Sequence, residues 1–561
     1  MFLVSSVAVV IAACSDDSQQ NSEADPSSTT TAASAPAPTT DATTTTAAPT
    51  TEVPPTEAPT TTEAPTTTTT SVPPAPELSG DPFTLGVASG DPDATSVVLW
   101  TRLAPDPLHG GGMPDHDVDV LWELARDTEF TDVVNSGIVT ARVEDAHSIH
   151  AIATSPASEG RQLFYRFRVG DHISQTGRTR LAPADSVDTA TFVSASCQNY
   201  QQGFFTAHRD IAEQQPDFLV WLGDYIYEGA AATVGDGEIV RTHGTPEPMD
   251  LAAYRDRYAL YKLDEHLQAA HQACPWFVIW DDHEVENNYA GIVPQDAADA
   301  PTFVSRRQAA YRAWWEHQPV RLDPPPETGE YRIYRAVRWG DLIGMTLLDT
   351  RQYRSDQACL DVVLSTAPAC PETFDPTRTL TGPDQEQFIV DTVGKQGTSW
   401  NVIAQQIVMA DVTLNGAVLN YDQWDGYPSN REQILRHLED NAVPNAIVLS
   451  GDIHLAGVAV LKAQASMGGA DGVPVAVEFV DTSISSSGLV PPSFAAVVTS
   501  FPEIVDAELA HRGYTLHTVT RETWTARYRI VDSALVPEST VSDYNSYIVD
   551  AGVPAVRIAV T

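Results

Sequence analysis

Short hydrophobic runs, each broken off by a polar cluster, recur through the later two-thirds of the chain. Pro275-Trp276-Phe277-Val278-Ile279 leads into Trp280-Asp281-Asp282-His283-Glu284-Val285-Glu286-Asn287-Asn288. Phe192-Val193-Ser194-Ala195-Ser196 leads into Cys197, and Phe218-Leu219-Val220-Trp221-Leu222 into Gly223-Asp224-Tyr225-Ile226-Tyr227-Glu228. Ala446-Ile447-Val448-Leu449 leads into Ser450-Gly451-Asp452-Ile453-His454. Runs this short read as buried strands, so each polar cluster falls at a strand's C-terminal end. Open α/β sheets place their chemistry there. Residues 343–348 and 402–408 read as further buried strands. Residues 251–272, 302–317 and 432–440 space their apolar positions three and four apart, as helices do. The pattern predicts one large α/β domain over 186–561.

Residues 81–185 read differently. Val97-Val98-Leu99-Trp100-Thr101, the alternating Val118, Val120 and Trp122, and Leu163-Phe164-Tyr165-Arg166-Phe167-Arg168-Val169 are strand-like and separated by Gly, Pro and Asp turns. This predicts a small all-β sandwich of fibronectin or immunoglobulin type with no chemistry of its own.

Composition adds an address. Residues 2–13 are apolar, of signal length and too short to span a bilayer. They end in Ile11-Ala12-Ala13-Cys14, which resembles a bacterial lipobox with Cys14 as the lipidated residue, although no Lys or Arg precedes the run. Residues 1–14 are thus expected to be a lipoprotein signal that anchors an extracytoplasmic protein to the cell-surface membrane. Residues 15–80 are Thr, Ala, Pro and Ser with scattered acids, too polar to fold and stiffened by proline into a stalk. The net charge of −43 over 561 residues argues against nucleic-acid partners and against binding anionic lipid through a basic patch. Of the remaining cysteines, Cys359 and Cys370 are candidates for a disulfide, Cys274 reads as a buried structural thiol, and Cys197 stands among ligand-type residues.

The strand-end donors are thiolate Cys197, carboxylates Asp224, Asp282 and Asp452, phenol Tyr227, amide Asn287 and imidazole His454. Hard oxygens favour Ca²⁺ or Mg²⁺, whereas thiolate, phenolate and imidazole suit a transition metal. The set is compatible with a mixed site and does not by itself name the ions.

Ser196-Cys197-Gln198, Gly223-Asp224-Tyr225-Ile226-Tyr227-Glu228, Trp280-Asp281-Asp282-His283-Glu284, Asp349-Thr350-Arg351-Gln352-Tyr353-Arg354 and Gly451-Asp452-Ile453-His454 together resemble the PhoD-type alkaline phosphatases. The resemblance runs from about Phe83 to Arg512-Gly513-Tyr514, and Gly86-Val87-Ala88-Ser89-Gly90-Asp91-Pro92 resembles that family's accessory β domain. It implies a calcineurin-like metallophosphatase fold, a β-sandwich flanked by helices, with Fe³⁺ and Ca²⁺ as cofactors and phosphate esters as substrates. It further implies that Asp224 bridges two ions, that Cys197, Tyr227 and His454 hold iron, and that Asp282, Asn287 and Asp452 help hold calcium. His283 would protonate the leaving group and Arg351 would bind phosphate oxygens. Glu284 and Glu286 read as orienting residues. Residues 421–427 form a candidate pocket loop whose aromatics fit packing equally well. Two alternatives stand beside the leading reading. One is a phospholipase D-like or wall-polymer phosphodiesterase, the other an inactive surface binding protein.

Overall fold

The computed structural model describes residues 71–155, 162–184, 186–361 and 367–559. The signal segment with Cys14 lies outside the described residues, and so does the expected stalk, apart from 71–80. No helix among the described residues is long and apolar enough to cross a membrane.

The all-apolar runs do become buried strands. Thr189–Ala195, Phe218–Trp221 and Trp276–Val278 lie parallel, with Trp221 beside both Ala195 and Val278. They form the centre of a ten-stranded sheet. Ile343–Leu347, Trp400–Ala404, Ala446–Ser450 and Val473–Val480 are the parallel strands of a seven-stranded sheet. Side chains from both sheets, among them Phe192, Trp221 and Phe277 from the first and Met345, Ile447 and Val477 from the second, share one apolar core. Strands buried on both faces carry continuous apolar runs, as these do.

At their C-terminal ends the two sheets are tied together. Ser196 bridges to Ser483, which follows the strand Val473–Val480, and Gln406 Nε2 donates to the Trp280 carbonyl at 2.6 Å. The expected strand 402–408 accordingly stops at Ala404. Gln405 and Gln406 turn their amides onto neighbouring strand ends instead of extending the ladder.

The expected helix over 251–272 is two helices, Leu251–Lys262 and Glu265–Ala273. The carboxylate of Asp264 accepts from the N–H groups of His266 and Leu267 and starts a new helix, an N-cap that overrides continuous apolar spacing. The other two expected helices are present as Ala300–His317 and Pro428–Asp440.

The region 81–185 is not self-contained. Val87–Gly90 pairs in parallel with Trp276–Val278 and antiparallel with Ser96–Arg102, which pairs with Ser148–Thr154, so these three strands extend the ten-stranded sheet. Val118–Ala125, Val133–Ala141, Gln162–Val169, His172–Ile173 and Gly177–Arg180 form a separate five-stranded sheet. Its Val120, Trp122, Leu124 and Phe167 pack on Val97, Leu99 and Ile149. There are two layers, as in a sandwich, but one of them is lent by the large sheet. The seven residues of Ser96–Arg102 are buried throughout, which a half-exposed sandwich strand would not be.

Cys359 and Cys370 are joined in a disulfide, and Cys274 is buried, its thiol pushed up to about 12 by burial. With its cysteines 11 positions apart in sequence, the disulfide should stabilise the fold by about 3 kcal/mol through the unfolded chain. Denaturant unfolding of a Cys359→Ser/Cys370→Ser double variant should show a loss of that order. An unchanged midpoint would mean that the closed loop already lacks freedom in the unfolded state.

Candidate metal centre and active site

Each strand delivers its polar residue through a sharp turn. Cys197, Asp224, Asp452 and His454 adopt φ of 60°, 57°, 64° and 58°, in the left-handed region that non-glycine residues seldom enter. Four such residues, all among the proposed ligands, mark a place where the surrounding structure holds the backbone against its preference. Gly223 has a φ of 112° and lies so close to Asp281 that a Cβ would stand 2.4 Å from the aspartate's own. That glycine lets two strand ends touch. Glu284 then clasps them, its carboxylate accepting from the N–H groups of Asp224 (3.0 Å), Tyr225 (2.6 Å) and Asp281 (2.9 Å). Burial nevertheless raises its pKa to about 7.

Ligand atoms of Cys197, Asp224 and His454 lie within 4.8 Å of one another. Tyr227 completes this group. Its hydroxyl donates to Asp224 Oδ2 at 2.8 Å, lies 3.0 Å from His454 Nε2, and receives the Ser486 hydroxyl at 2.9 Å. The backbone carbonyl of Ser487 fixes His454 through Nδ1 at 2.7 Å. Two further groups adjoin it, Asp224 with Asp282 and His283, and Asp281 with Asp282 and Asp452. Asp224 and Asp282 each belong to two of the three groups, so together the groups make one continuous centre.

Asn287 is placed differently. Its Nδ2 donates to Gln295 at 2.7 Å, and among the described residues no hydrogen bond joins its side chain to the other proposed ligands. Arg351 is also placed otherwise than expected. Fully buried, it spends its guanidinium on Asp281, on both oxygens of Asp422 (2.8 and 2.7 Å) and on Asp452 (2.8 Å), with Asp282 at 3.4 Å. Here it is a counter-charge to four carboxylates. Burial alone would lower its pKa, but Asp281, Asp282, Asp422 and Asp452 hold it well above the ordinary value.

The structure adds residues that the motifs did not single out. Glu228 receives His283 Nδ1 at 2.7 Å and the Asn287 N–H at 2.8 Å. Burial pulls the His283 pKa down, but Glu228, Asp224 and Asp282 outweigh it and drive it well above its ordinary value. The imidazole is 20 % exposed, and its ring lies 4.0 Å from the Tyr227 ring, tilted by 32°. Asp422 binds Arg351, Arg354 and Gln357, and Gln423 Nε2 donates to Asp452 Oδ2 at 2.6 Å. The aromatics of the 421–427 loop, Tyr421, Trp424 and Tyr427, are buried as packing, so the loop reaches the site through these two polar side chains. The signal for Glu228 was present in Gly223-Asp224-Tyr225-Ile226-Tyr227-Glu228. Asp422 and Gln423 lie far from the other motifs in sequence and carried none.

The donor set fits a bound cation. Asp224 Oδ1 and Asp281 Oδ2 are buried and accept no hydrogen bond. Burial, reinforced by mutual repulsion, raises the pKa of Asp224 and Asp281 well above the carboxylate range. Orphaned anionic oxygens among crowded carboxylates are what a metal ion relieves.

Known proteins resemble this chain over most of its length. The family model described as PhoD-like phosphatase matches residues 192–528, and that of the PhoD-like phosphatase N-terminal domain matches residues 67–183. Alkaline phosphatase D of Bacillus subtilis (strain 168) is 41% identical over 487 residues, covering 84% of this chain and 82% of that protein. A solved structure described as "Structure of PhoD" superposes with a TM-score of 0.82 at 39% identity, covering 87% of this chain and 94% of the other. The resemblance read from the motifs therefore extends over most of the chain, and the chain belongs to the PhoD-like phosphatase family, as a phosphoric ester hydrolase of the alkaline phosphatase D type.

Proposed function

We propose that this phosphatase works outside the cell on phosphomonoesters and phosphodiesters, using a mixed iron and calcium centre and His283 as general acid. The observation that carries the reading is the convergence of Cys197, Asp224, Tyr227 and His454, with Asp224 common to the Cys197/His454 and Asp282/His283 groups and its Oδ1 buried and unpartnered. Thiolate, phenolate and imidazole beside it suit Fe³⁺, while the oxygen-only group of Asp281, Asp282 and Asp452 suits Ca²⁺. Metals held there would supply Lewis acidity toward phosphoryl oxygens and make water a stronger nucleophile at a given pH.

The chain's own residues do the rest. Glu228 fixes His283 through Nδ1 and stabilises the imidazolium, which leaves Nε2 as the proton donor to the departing alkoxide. Ser486 and Ser487 orient Tyr227 and His454, and Glu284 keeps the Asp224 and Asp281 turns in register. The disulfide Cys359–Cys370 suits an oxidising compartment, as the lipobox-like Cys14 suits export.

Hydrolysis of a chromogenic phosphomonoester and its diester at alkaline pH, with calcium or with a calcium chelator, tests the centre. Calcium-dependent turnover is expected. Turnover by iron-loaded protein that is indifferent to the chelator would remove calcium from the proposal, and the mono- to diester ratio measures the preference between substrates. The acid role has its own test. His283→Ala should slow esters of poor leaving groups by about 10²–10⁴-fold and those of good leaving groups far less. Equal losses would take the proton-donor role away.

A further inference from the structure

Arg351 is committed to carboxylates and His283 is assigned to the leaving group, yet a productive phosphatase must also hold a dianionic substrate in a strongly acidic chain. A second arginine, Arg512, lies against the loop that adjoins the centre. Arg512 opens the strand Arg512–Thr520, whose next residue, Gly513, donates its N–H to the Ser483 carbonyl in the loop that wraps Cys197. Ser485 and Ser486 of that loop both donate to the Cys197 carbonyl, and Ser487 holds His454. Gly488, the next residue, lies against the Arg512 guanidinium. A Cβ there would stand 3.3 Å from Nη2 and 3.4 Å from Nη1.

The guanidinium is under-partnered. Nη1 is buried and has no hydrogen-bond acceptor. Glu238 pairs with Nη2 only at 3.9 Å, beyond hydrogen-bond distance, and its side chain is 52 % exposed. A buried donor without a partner calls for an explanation, and this one adjoins the loop that holds Cys197 and His454, where a ligand could bring the acceptor. Arginine suits phosphate because its planar fork presents paired donors to two oxygens.

We propose that Arg512 is a substrate-binding residue whose guanidinium takes the non-bridging anionic oxygens of the phosphoryl group being hydrolysed. The proposal rests on the site assignment above. It also predicts a preference: a monoester dianion gains more from this cation than a diester monoanion, so Arg512 biases the enzyme toward monoesters.

The test uses the metal-loaded enzyme and inorganic phosphate as competitive inhibitor, with Arg512→Gln, Arg512→Lys and Gly488→Ala variants. Arg512→Gln should raise the phosphate inhibition constant and the monoester KM by about 10- to 100-fold, the range for hydrogen bonds to a charged group. The diester KM should rise less, with kcat largely kept. Arg512→Lys should recover part of the loss. Gly488→Ala, which keeps the arginine but crowds it, should shift the same constants in the same direction by a smaller factor. Wild-type turnover in the same assay separates the two readings. Turnover with an unchanged phosphate constant in Arg512→Gln overturns the role of Arg512 alone. So does an equal loss on both esters with no recovery in the lysine variant.

Discussion

Replacing Asp224 with asparagine is expected to abolish phosphoester hydrolysis, lowering kcat/KM by about 10³-fold or more, equivalent to roughly 4 kcal/mol of lost transition-state stabilisation. The substitution isolates charge from shape. Asparagine is among the few residues that tolerate the left-handed conformation Asp224 adopts, so the turn after Phe218–Trp221 should persist. Its amide oxygen can still accept the Tyr227 hydroxyl. What disappears is the carboxylate of a residue common to two adjoining groups of ligand-type side chains. Metal content, measured alongside turnover, should fall with activity while the circular dichroism spectrum stays native. A folded Asp224→Asn variant with wild-type activity would refute the site.

Arg351→Gln should produce the largest change in stability. The guanidinium is buried among Asp281, Asp282, Asp422 and Asp452, and its loss leaves these carboxylates facing one another in a poorly solvated interior. Breaking a buried ion pair from one side costs about 3–5 kcal/mol. Thermal unfolding of the chelated variant should show a loss of that size. Added calcium should restore more stability to the variant than to the wild type, since a cation can take over part of the counter-charge. A variant as stable as wild type under chelation would mean that the carboxylates simply take up protons. A large drop in kcat with little loss of stability would return Arg351 to the phosphate-binding role expected from its motif.

The contrast between these residues shows what a linear pattern can reveal. Asp224, Asp282, His283, Asp452 and His454 follow short apolar runs, and those runs become parallel strands that end flush, so the convergence of these residues was readable. Tyr227 was readable from its motif, and its hydroxyl bridges Asp224 and His454. Arg351 was legible as a strand-end residue but not in its partners, because Asp422 comes 71 positions later from a loop with no strand signal. The break at Asp264 shows the opposite limit, in which one local side-chain hydrogen bond overrides a longer periodicity. In the small β region the strands were legible but not their pairing, because Ser96–Arg102 is covered on both faces where it joins the ten-stranded sheet.

Sequence alone determined the strand-end positions of the polar clusters, the family and the mixed α/β character of the chain. Those properties follow from local order: short apolar runs form strands, and the residues just past them have nowhere to go but the sheet's edge. Only the tertiary structure decided which donors share atoms of contact, that Glu228 holds His283, that Arg351 is consumed by carboxylates and that Arg512 is left with an unmet donor. Charge pairing and burial depend on distances between segments far apart in the chain, and those distances exist only once the sheets have packed.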